Sequence, residues 1–486
     1  MSARVQKHSV VGCLKASVGL LALGSVLSGC ILGSERPDLN LEVPAHYRAA
    51  GRIDADAALP VLGWWRGFRS AELTKLMESA QLYNLDIAVA IAQIVQADAQ
   101  VGVAGAPLLP SISGVANAER DHPSTQTASG GGGGAGTFST HNLGLSASYM
   151  LDFWGKQRAQ LHANEENATA SRYNRDVVTL TTLATVANTY FALLAAQDEM
   201  GVTRRNLEAA ARILTLVQKQ FNGGTASQLD LSQQQALVAT QRAAIPPLEV
   251  TVGQDTAALA VLVARAPANF RVRGGTLAAI AVPRVTPGLP SQLLYERPDI
   301  RQAEAQLAAS NFSVEVARAS FFPQIQLTGT TGVQSASLSK LFVPGAWYYT
   351  LAAGLTQPLF DGFLLESQLK AAKGAQLQAL QNYRRIVLSA FADVEKALIA
   401  LQKYTLQERL QLDVVANSRK AFEVSETQLR GGTVNLITVL QTQQTLFTAE
   451  NNLVTVRLNK LLAASQLFQA LGGGWTPRGT LAALQE

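Results

Sequence analysis

Residues that could carry out acid-base, nucleophilic or metal chemistry are scarce in this chain. Its 486 residues include five histidines and two cysteines, and His8 and Cys13 fall in an N-terminal stretch with the layout of a removable signal. The glycine run from Gly130 to Gly134 is followed by neither a Gly-Lys-Ser/Thr step nor a helix, which favours a loop over a phosphate cradle. No nucleophile, base and oxyanion donors form a set, so the sequence predicts a protein that is not an enzyme and has no cofactor.

The first thirty residues have the pattern of a secretory signal. Arg4, Lys7 and Lys15 precede an apolar stretch over residues 16–27, and Leu-Ser-Gly-Cys follows, ending at Cys30. This ending resembles the bacterial lipoprotein box, in which cleavage leaves the cysteine first and acylated. A signal peptide with a chance cysteine and a short membrane anchor are the alternatives. We therefore predict Cys30 as the lipid attachment site.

Removal of the signal changes what charge and cysteine content imply. The formal net charge of +5 falls by the three basic residues of the signal to +2, which gives no reason to expect nucleic-acid binding. Cys13 leaves with the signal, so the mature chain keeps one cysteine and cannot form an internal disulfide. By resemblance to other lipoproteins, Ile31 in place of an aspartate favours sorting to the outer membrane.

Beyond the signal there is no run of about 18 uninterrupted apolar residues, which predicts that no helix spans a membrane and that any crossing uses strands. Four stretches have the period of two that a strand requires, at about 111–120, 141–151, 324–334 and 347–357. Each is close to the 9 to 11 residues of a tilted transmembrane strand. A soluble hairpin on a helical body is the alternative. Trp347, Tyr348 and Tyr349 fit an aromatic girdle at a membrane interface, or a soluble aromatic cluster.

The remaining sequence predicts helices. One begins near Ala71 and stops before Pro107, and a second could run from Lys156 to Phe221, about 100 Å at 1.5 Å per residue. No proline interrupts residues 359–476 either. Apolar residues recur every three or four positions, as in a coiled-coil seam, at Leu180, Leu183, Ala187, Tyr190 and Leu194 and again at Val387, Ala390, Val394, Ala397 and Leu401.

An internal duplication is the strongest signal in the chain. Gly223, Gly224 and Thr225 recur as Gly431, Gly432 and Thr433, about 208 residues later. This period is too long for a stacked solenoid and indicates two copies of one large half. Glycine at a helix end followed by Thr, Ser or Asn is a stop followed by a new start, so both sites are predicted to be tips of helical hairpins.

Four strands cannot close a membrane barrel, because unpaired edge groups would face lipid at several kcal/mol each. Strands must therefore be pooled between chains, giving eight with two copies and twelve with three. A barrel of twelve can hold water, whereas side chains fill most of a barrel of eight.

At this point the sequence resembles a known family. The segments that carry the resemblance start at Gly63 (GWWRGF), Asn84 (NLD), Glu296 (ERPDIR), Gln357 (QPLFDG) and Leu471 (LGGGW). Their order and the duplication are similar to the TolC-like outer membrane efflux protein family, and more narrowly to its lipoprotein branch, the OprM-like or NodT-like outer membrane factors. The resemblance covers nearly all of the mature chain.

The resemblance implies a mainly α fold with a transmembrane β-barrel portion. A homotrimer would form a twelve-stranded barrel in the outer membrane, continued by a twelve-helix periplasmic α-barrel. A periplasmic adaptor and an inner-membrane pump would be its partners, with the pump supplying the energy for export of drugs or other toxic small molecules. A duct for secreted protein or metal ions, and a periplasmic coiled-coil lipoprotein scaffold, are the alternative functions.

The expected domain organisation follows the duplication. We predict a signal peptide over residues 1–29, a lipid-anchored strap over 30–70, a first repeat over 71–270 and a linker over 271–296. A second repeat over 297–471 and a tail over 472–486 complete the chain. The hairpin tips are predicted at about 222–228 and 430–436.

The resemblance also implies roles for particular residues. The six Gly-Gly-Thr residues would form the periplasmic tips that meet the adaptor, although turn chemistry alone needs the same glycines. Relatives narrow the tunnel near the tips with acidic or ion-paired rings, which makes Asp230 a gate candidate. Gln441 stands where relatives often carry aspartate, and it is the second candidate, for a neutral, hydrogen-bonded closure. A helix-start aspartate favouring the helix dipole is the alternative for Asp230. Arg297, Asp299 and Arg301 are interpreted as structural, at a helix start.

Overall fold

The structure, a computed structural model, describes residues 38–39, 41–48, 61–122, 137–285 and 287–475. Nine α-helices occur in this part of the chain: α1 Ala71–Tyr83, α2 Leu85–Gly105, α3 Lys156–Asn222, α4 Gln228–Ala243, α5 Ile245–Leu262, α6 Pro290–Glu296, α7 Pro298–Ala319, α8 Leu364–Arg430 and α9 Leu436–Ala470. Four strands accompany them: β1 Ser111–Asp121, β2 Phe138–Leu151, β3 Gln324–Ser335 and β4 Trp347–Thr356. Cys30 lies outside the described residues.

The chain divides into two compact units. The sheet unit contains residues 97–168 and 306–380, and the helical unit contains 169–305 and 381–475 together with described residues between 41 and 96. The chain is therefore mostly helical, with a small sheet.

The sheet unit contains one antiparallel sheet in the order β1-β2-β3-β4. All four strands lie where the alternating pattern predicts them, within a few residues at each end. The register places the apolar positions of neighbouring strands opposite one another, for example Leu143 opposite Val333 and Val333 opposite Trp347. β1 and β4 form the two edges, so each has one side without a strand partner in the single chain.

The helical unit is held by apolar seams. Phe68, Phe191 and Phe468 lie in its largest core, where the rings of Phe68 and Phe191 are 5.2 Å apart. Both predicted seams are observed: Ala187 and Leu194 are almost fully buried, as are Val387 and Val394. Full burial of a valine or leucine side chain such as Leu194, Val387 or Val394 contributes about 1.5–3 kcal/mol, so both seams stabilise the helical unit.

The predicted helix beginning at Ala71 is two helices rather than one. Asn84 is buried and non-helical, and its Oδ1 accepts hydrogen bonds from the N–H groups of Asp86 (2.8 Å) and Ile87 (3.1 Å). Its Nδ2 donates to the carbonyl of Leu262 at 2.8 Å. The prediction of a single helix is wrong because this asparagine ends α1 and caps α2.

Two helical stretches are long and apolar enough to cross a membrane by length and composition, with a mean hydropathy of 1.5 in each case. They are Ala71–Leu108, with 11% of the apolar window buried, and Lys156–Asn222, with 50% buried. Neither is an uninterrupted apolar run, so the prediction that no helix meets the length and composition of a membrane span is wrong. The first is broken at Asn84, and half-burial of the second is what a core helix shows, so strands stay the better membrane candidates.

Candidate functional site

The two Gly-Gly-Thr sites form the same helix-ending turn. Gly224 has φ 76° and Gly432 has φ 71°, a left-handed conformation that favours glycine. The N–H of Gly224 donates to the carbonyl of Phe221 at 3.0 Å, and the N–H of Gly432 donates to that of Leu429 at 3.1 Å. We call residues 223–227 the first tip and residues 431–435 the second tip.

The threonines complete each turn. The backbone N–H and the Oγ1 of Thr225 both donate to the carbonyl of Gln220, at 2.8 and 3.0 Å, and Thr433 donates in the same way to Gln428, at 3.0 and 3.1 Å. Together with the glycine bonds this is a Schellman motif, which satisfies carbonyls left free at a helix end. The hairpin tips thus have matching backbones.

The helices that leave the two tips begin differently. At the first tip, Ser227 and Asp230 form a capping box: Ser227 Oγ accepts from the N–H of Asp230 (3.1 Å), and Asp230 Oδ2 accepts from the N–H of Ser227 (2.9 Å). At the second tip, Asn435 Oδ1 accepts from the N–H of Thr438 at 3.1 Å. The first cap carries a charge and the second is neutral.

Asp230 is engaged in this cap rather than standing free. Hydrogen bonds from the Ser227 side chain (2.7 Å) and backbone hold the pKa of the Asp230 carboxyl below its ordinary value. A carboxylate in the first turn of a helix also favours the dipole. The helix-start interpretation of Asp230 therefore has direct geometric support, and a half-exposed charge is left beside the tip.

The glutamines near the tips that are buried and hydrogen-bonded are Gln443 and Gln234, and not the gate candidate Gln441. Gln441 is exposed, whereas Gln443 is buried and its Nε2 donates to Asn206 Oδ1 at 2.9 Å. Gln234 is also buried and donates to the carbonyl of Ala210 at 2.7 Å. Spacing could have predicted that both are buried, because Gln234 lies three residues after Leu231 and Gln443 lies four after Val439, and both of these apolar residues are buried.

Each tip also presents an apolar side chain to solvent. Leu229 follows the first tip and is 63% exposed, and Ile437 follows the second and is 49% exposed. The two occupy the same position in the duplication. Each lies beside a turn whose backbone is fixed by the bonds above, so the two tips offer similar small apolar contacts.

Ion pairs farther along the second hairpin were missed in the sequence. Glu408 of α8 accepts hydrogen bonds from Arg457 (3.0 Å) and Lys460 of α9, and all three side chains are mostly buried. Burial opposes ionisation of Glu408, yet these two bonds hold its pKa below the ordinary value. Glu450 is bound by Arg419 in the same pair of helices.

The ERPDI segment is a structural joint, as predicted. Arg297 binds Asp299 through two bonds of 2.6 and 3.0 Å and donates to the carbonyl of Ala470 at 3.2 Å. It also lies 3.5 Å from Asp393 of α8. Burial disfavours the charged guanidinium, but Asp299 and Asp393 keep the pKa of Arg297 above its ordinary value. The segment thus ties the start of α7 to α8 and to the end of α9.

One face of the sheet carries mainly apolar side chains, and the other carries mainly small and polar ones. Positions sharing a face with Leu351 include Leu145, Leu327, Tyr349 and Leu355. The opposite face carries mainly small and polar side chains: Ser113, Asn142, Ser146, Ser148, Gln326, Thr328, Thr330 and Thr350. This is the alternation of a barrel with lipid outside and water inside.

The prediction for the aromatic trio is wrong in one member. Trp347 and Tyr349 share the apolar face, are 64% and 63% exposed, and have ring centroids 5.3 Å apart. Tyr348 lies on the polar face, because successive strand residues point to opposite sides. Only Trp347 and Tyr349 therefore remain girdle candidates.

No group of three or more His, Cys, Asp or Glu residues in the described ranges is arranged to hold a metal ion.

Comparison with known proteins agrees with this geometry. The family model described as outer membrane efflux protein matches residues 76–265 and 289–473. The pyoverdine export outer membrane protein OpmQ of Pseudomonas aeruginosa is 36% identical over 462 residues, covering 93% of this chain and 96% of OpmQ. The toluene efflux pump outer membrane protein TtgC of Pseudomonas putida is 29% identical over 465 residues, covering 95% of this chain and 96% of TtgC.

Solved channels share the fold. The open state of the Neisseria gonorrhoeae MtrE outer membrane channel is similar with a TM-score of 0.79 and 28% identity, covering 90% of this chain and 97% of MtrE. The Campylobacter jejuni CmeC outer membrane channel has a TM-score of 0.83 at 23% identity, covering 93% of this chain and 97% of CmeC, and supports the fold alone.

Proposed function

The chain belongs to the outer membrane efflux protein family, and we propose that it is the passive exit duct of a tripartite efflux system. The family consists of channel and transport proteins and is located in the outer membrane. The observation that carries the proposal is the four-stranded sheet, with an apolar face, a polar face and two unpaired edges. In a membrane such a sheet must pair both edges, and pairing them in a barrel puts the polar face around a water-filled lumen.

Three copies of the chain would close that sheet into a barrel of twelve strands, and their helices would form the periplasmic tunnel. A second feature supports a homotrimer. Leu85, Val89 and Val95 of α2 are 65%, 57% and 67% exposed in the single chain. A helix with such a surface needs a partner, and a second copy of this chain is the partner that also supplies strand edges.

The tips are proposed to dock a periplasmic adaptor, which joins the duct to an inner-membrane pump. Three copies would present six tips with matching turns, made by Gly223, Gly224 and Thr225 and by Gly431, Gly432 and Thr433. Leu229 and Ile437 beside them would supply apolar anchors of the kind that dominate interface energies.

Asp230 and Gln441 are proposed as gate residues, and we expect Asp230 to have the larger effect on cation selectivity. Three copies of Asp230 would place three carboxylates near the duct axis and attract cations. We expect Asp230→Ala to change cation selectivity in planar bilayers more than Gln441→Ala does. Equal selectivity in the two variants would contradict an acidic gate.

Cys30 is proposed as the site of the N-terminal lipid that anchors the chain to the outer membrane. The relative SilC of Salmonella typhimurium is named a probable outer membrane lipoprotein and is 28% identical over 466 residues. Intact mass of the purified protein tests this directly, since Cys30→Ala should lose the acyl mass. An unchanged mass would place the anchor elsewhere.

The proposed cargo is a small organic molecule, with a siderophore as the first candidate. OpmQ, named for pyoverdine export, is 36% identical, whereas the toluene pump protein TtgC is 29% identical. Deleting the gene and measuring secreted siderophore together with accumulation of dyes and antibiotics tests the proposal, with the gene restored as control. Retention of a small molecule in the deletion supports it. Loss of a secreted protein with no small molecule retained would overturn it.

A further inference from the structure

Tyr348 occupies an unusual position on the polar face of the sheet. Apart from Phe138 at the outer end of β2, it is the only aromatic side chain that the described strands place there. Its Cα lies opposite Gly332 on β3, and Gly332 lies opposite Gly144 on β2. The row of residues next to the tyrosine therefore has no side chains.

The tyrosine side chain is fixed at its far end. Its hydroxyl lies 3.0 Å from Nδ2 and 3.1 Å from Oδ1 of Asn142. Asn142 is on β2, two strands away, and neighbouring strands are about 4.8 Å apart. The side chain must consequently lie along the sheet and cross β3 near Gly332.

One face of the ring therefore lies over the backbone of β3, and we assign the partial exposure of the side chain to the other, open face. Tyr348 is partly buried, while its neighbours Trp347 and Tyr349 on the opposite face are more than 60% exposed. The glycines cannot be replaced without moving the strands, because a Cβ on Gly332 would lie 2.5 Å from Gly144 Cα. The wall is therefore built to hold a flat aromatic ring.

We propose that the open face of Tyr348 is a contact site for planar aromatic groups of the transported molecule. The proposal rests on the proposed duct, since the polar face lines a lumen only when copies close the barrel. Serines, threonines and glutamines predominate on this face, with Val115, Met150 and Ala352 among its apolar exceptions, so the ring is an isolated aromatic surface on a mainly hydrophilic wall. Offset stacking on a fixed ring gives an aromatic solute a residence time that an aliphatic solute of equal charge lacks.

The test compares two blockers that differ only in the ring. The purified full-length protein is inserted in planar bilayers, and ion current is measured. Benzyltrimethylammonium or cyclohexylmethyltrimethylammonium is added on the side of the loops that join β1 to β2 and β3 to β4. We expect the aromatic ion to block at about two- to tenfold lower concentration, the range expected for one aromatic pair. In Tyr348→Leu the two blocking concentrations should become equal. Tyr348→Phe keeps the ring but loses its hydrogen bonds to Asn142, so it should keep the preference in reduced form.

Tyr149→Leu is the matched control, because it makes the same change on the apolar face of β2. It should leave the preference unchanged. Equal block of the native channel by both ions, a preference that survives Tyr348→Leu, or its loss in Tyr348→Phe would overturn the inference while leaving the duct intact. A protein that stays monomeric and does not insert would instead contradict the proposed function and the inference with it.

Discussion

The two hairpins of the helical unit share a turn but differ in the helix that follows it. In the second hairpin α9 runs without a break over 35 residues. In the first, the equivalent stretch is divided into α4 and α5 at Ala244, next to Pro246 and Pro247. Prolines lack the N–H that would bond to the carbonyls four residues earlier, so the helix is weakened there.

Packing differs in the same direction. None of residues 242–258 is buried in the single chain. Their counterparts in α9 include the buried Leu453, Val454 and Leu461, and Glu408 ties α8 to α9 through two ion pairs. The two copies therefore kept the same turn geometry, but they differ in the packing and ion pairs of the helices that follow. We expect the first hairpin to have the lower local stability of the two.

The largest effect is expected from placing a proline in α9, where the first hairpin has the prolines that divide α4 from α5. Val454 is buried in α9 at the position equivalent to Pro246. Val454→Pro should lower the local free energy of unfolding by about 3 kcal/mol or more, seen as lost amide-exchange protection in α9. The reciprocal Pro246→Val with Pro247→Thr should raise protection in α4 and α5. Unchanged protection in both variants would refute the difference in stiffness.

Removing the carboxylate of Glu408 is expected to have the next largest effect. Glu408→Gln leaves Arg457 and Lys460 without their shared counter-charge in a mostly buried place, which should cost about 2 kcal/mol. The control is Glu249→Gln in the first hairpin, where Glu249 and Arg204 are more than half exposed and 3.7 Å apart, and where about 0.5 kcal/mol is expected. Equal losses of exchange protection would show that the Glu408 pairs do not brace the second hairpin.

The same pairs predict an acid response with a definite sign. The pKa of folded Glu408 is held below its ordinary value of 4.5, so its contribution to stability is present above about pH 4.5 and is lost as pH falls through the folded pKa. Exchange protection in the middle of α8 and α9 should fall over that range. Glu408→Gln should abolish this part of the pH dependence, and an unchanged pH profile would assign it to other carboxyls.

The tips should respond equally to a change that tests their shared turn. Gly224 and Gly432 have positive φ and open space around the missing Cβ, so an alanine at either site meets backbone strain alone. Each substitution should cost about 1–2 kcal/mol. Exchange at the end of α3 and of α8 measures it, and a difference of more than about twofold between the tips would mean that the turns are not equivalent.

The smallest effect concerns the caps. Ser227→Ala and Asn435→Ala should each cost about 1 kcal/mol at neutral pH. Because the pKa of Asp230 is held below its ordinary value of 3.8, the first cap alone should weaken as pH falls below 3.8 and through that lowered pKa, since Asn435 and Thr438 do not titrate. Exchange of the first turns of α4 and α9 compares the two tips in one molecule. A parallel acid response at both tips would contradict the assignment.

Much of this fold is predictable because its signals are local. Period-two alternation gave the strands, and the glycine pairs gave both hairpin ends. The cap at Asn84 is local, but it was missed because the apolar spacing of three and four continues through it from Leu73 to Ile94. The Glu408 pairs were missed because they join residues about fifty positions apart. Tyr348 was wrongly included in the girdle because three adjacent aromatics were grouped together, although successive residues of a strand point to opposite faces.

The candidate site was predictable in position and less so in chemistry. Gly224, Gly432 and Asp230 lie where the duplication indicates, but capping bonds decide what Asp230 contacts, and these depend on Ser227 being the N-cap. Gln441 was chosen because relatives often carry aspartate at its position, whereas the buried, hydrogen-bonded glutamine is Gln443. Repetition identifies equivalent positions and does not reveal which of them face the helix partner.

Closure of the sheet between copies is the central claim, and thiol cross-linking tests it most directly. Ser113 lies on β1 and Thr350 on β4, the two edges of the sheet, on its polar face. A chain with Ser113→Cys and Thr350→Cys, treated in membranes with a cross-linker of about 10 Å reach, should give covalent dimers and trimers and nothing larger, and neither single variant should give trimers. Monomers alone, or a ladder beyond three, would contradict a barrel built from three copies.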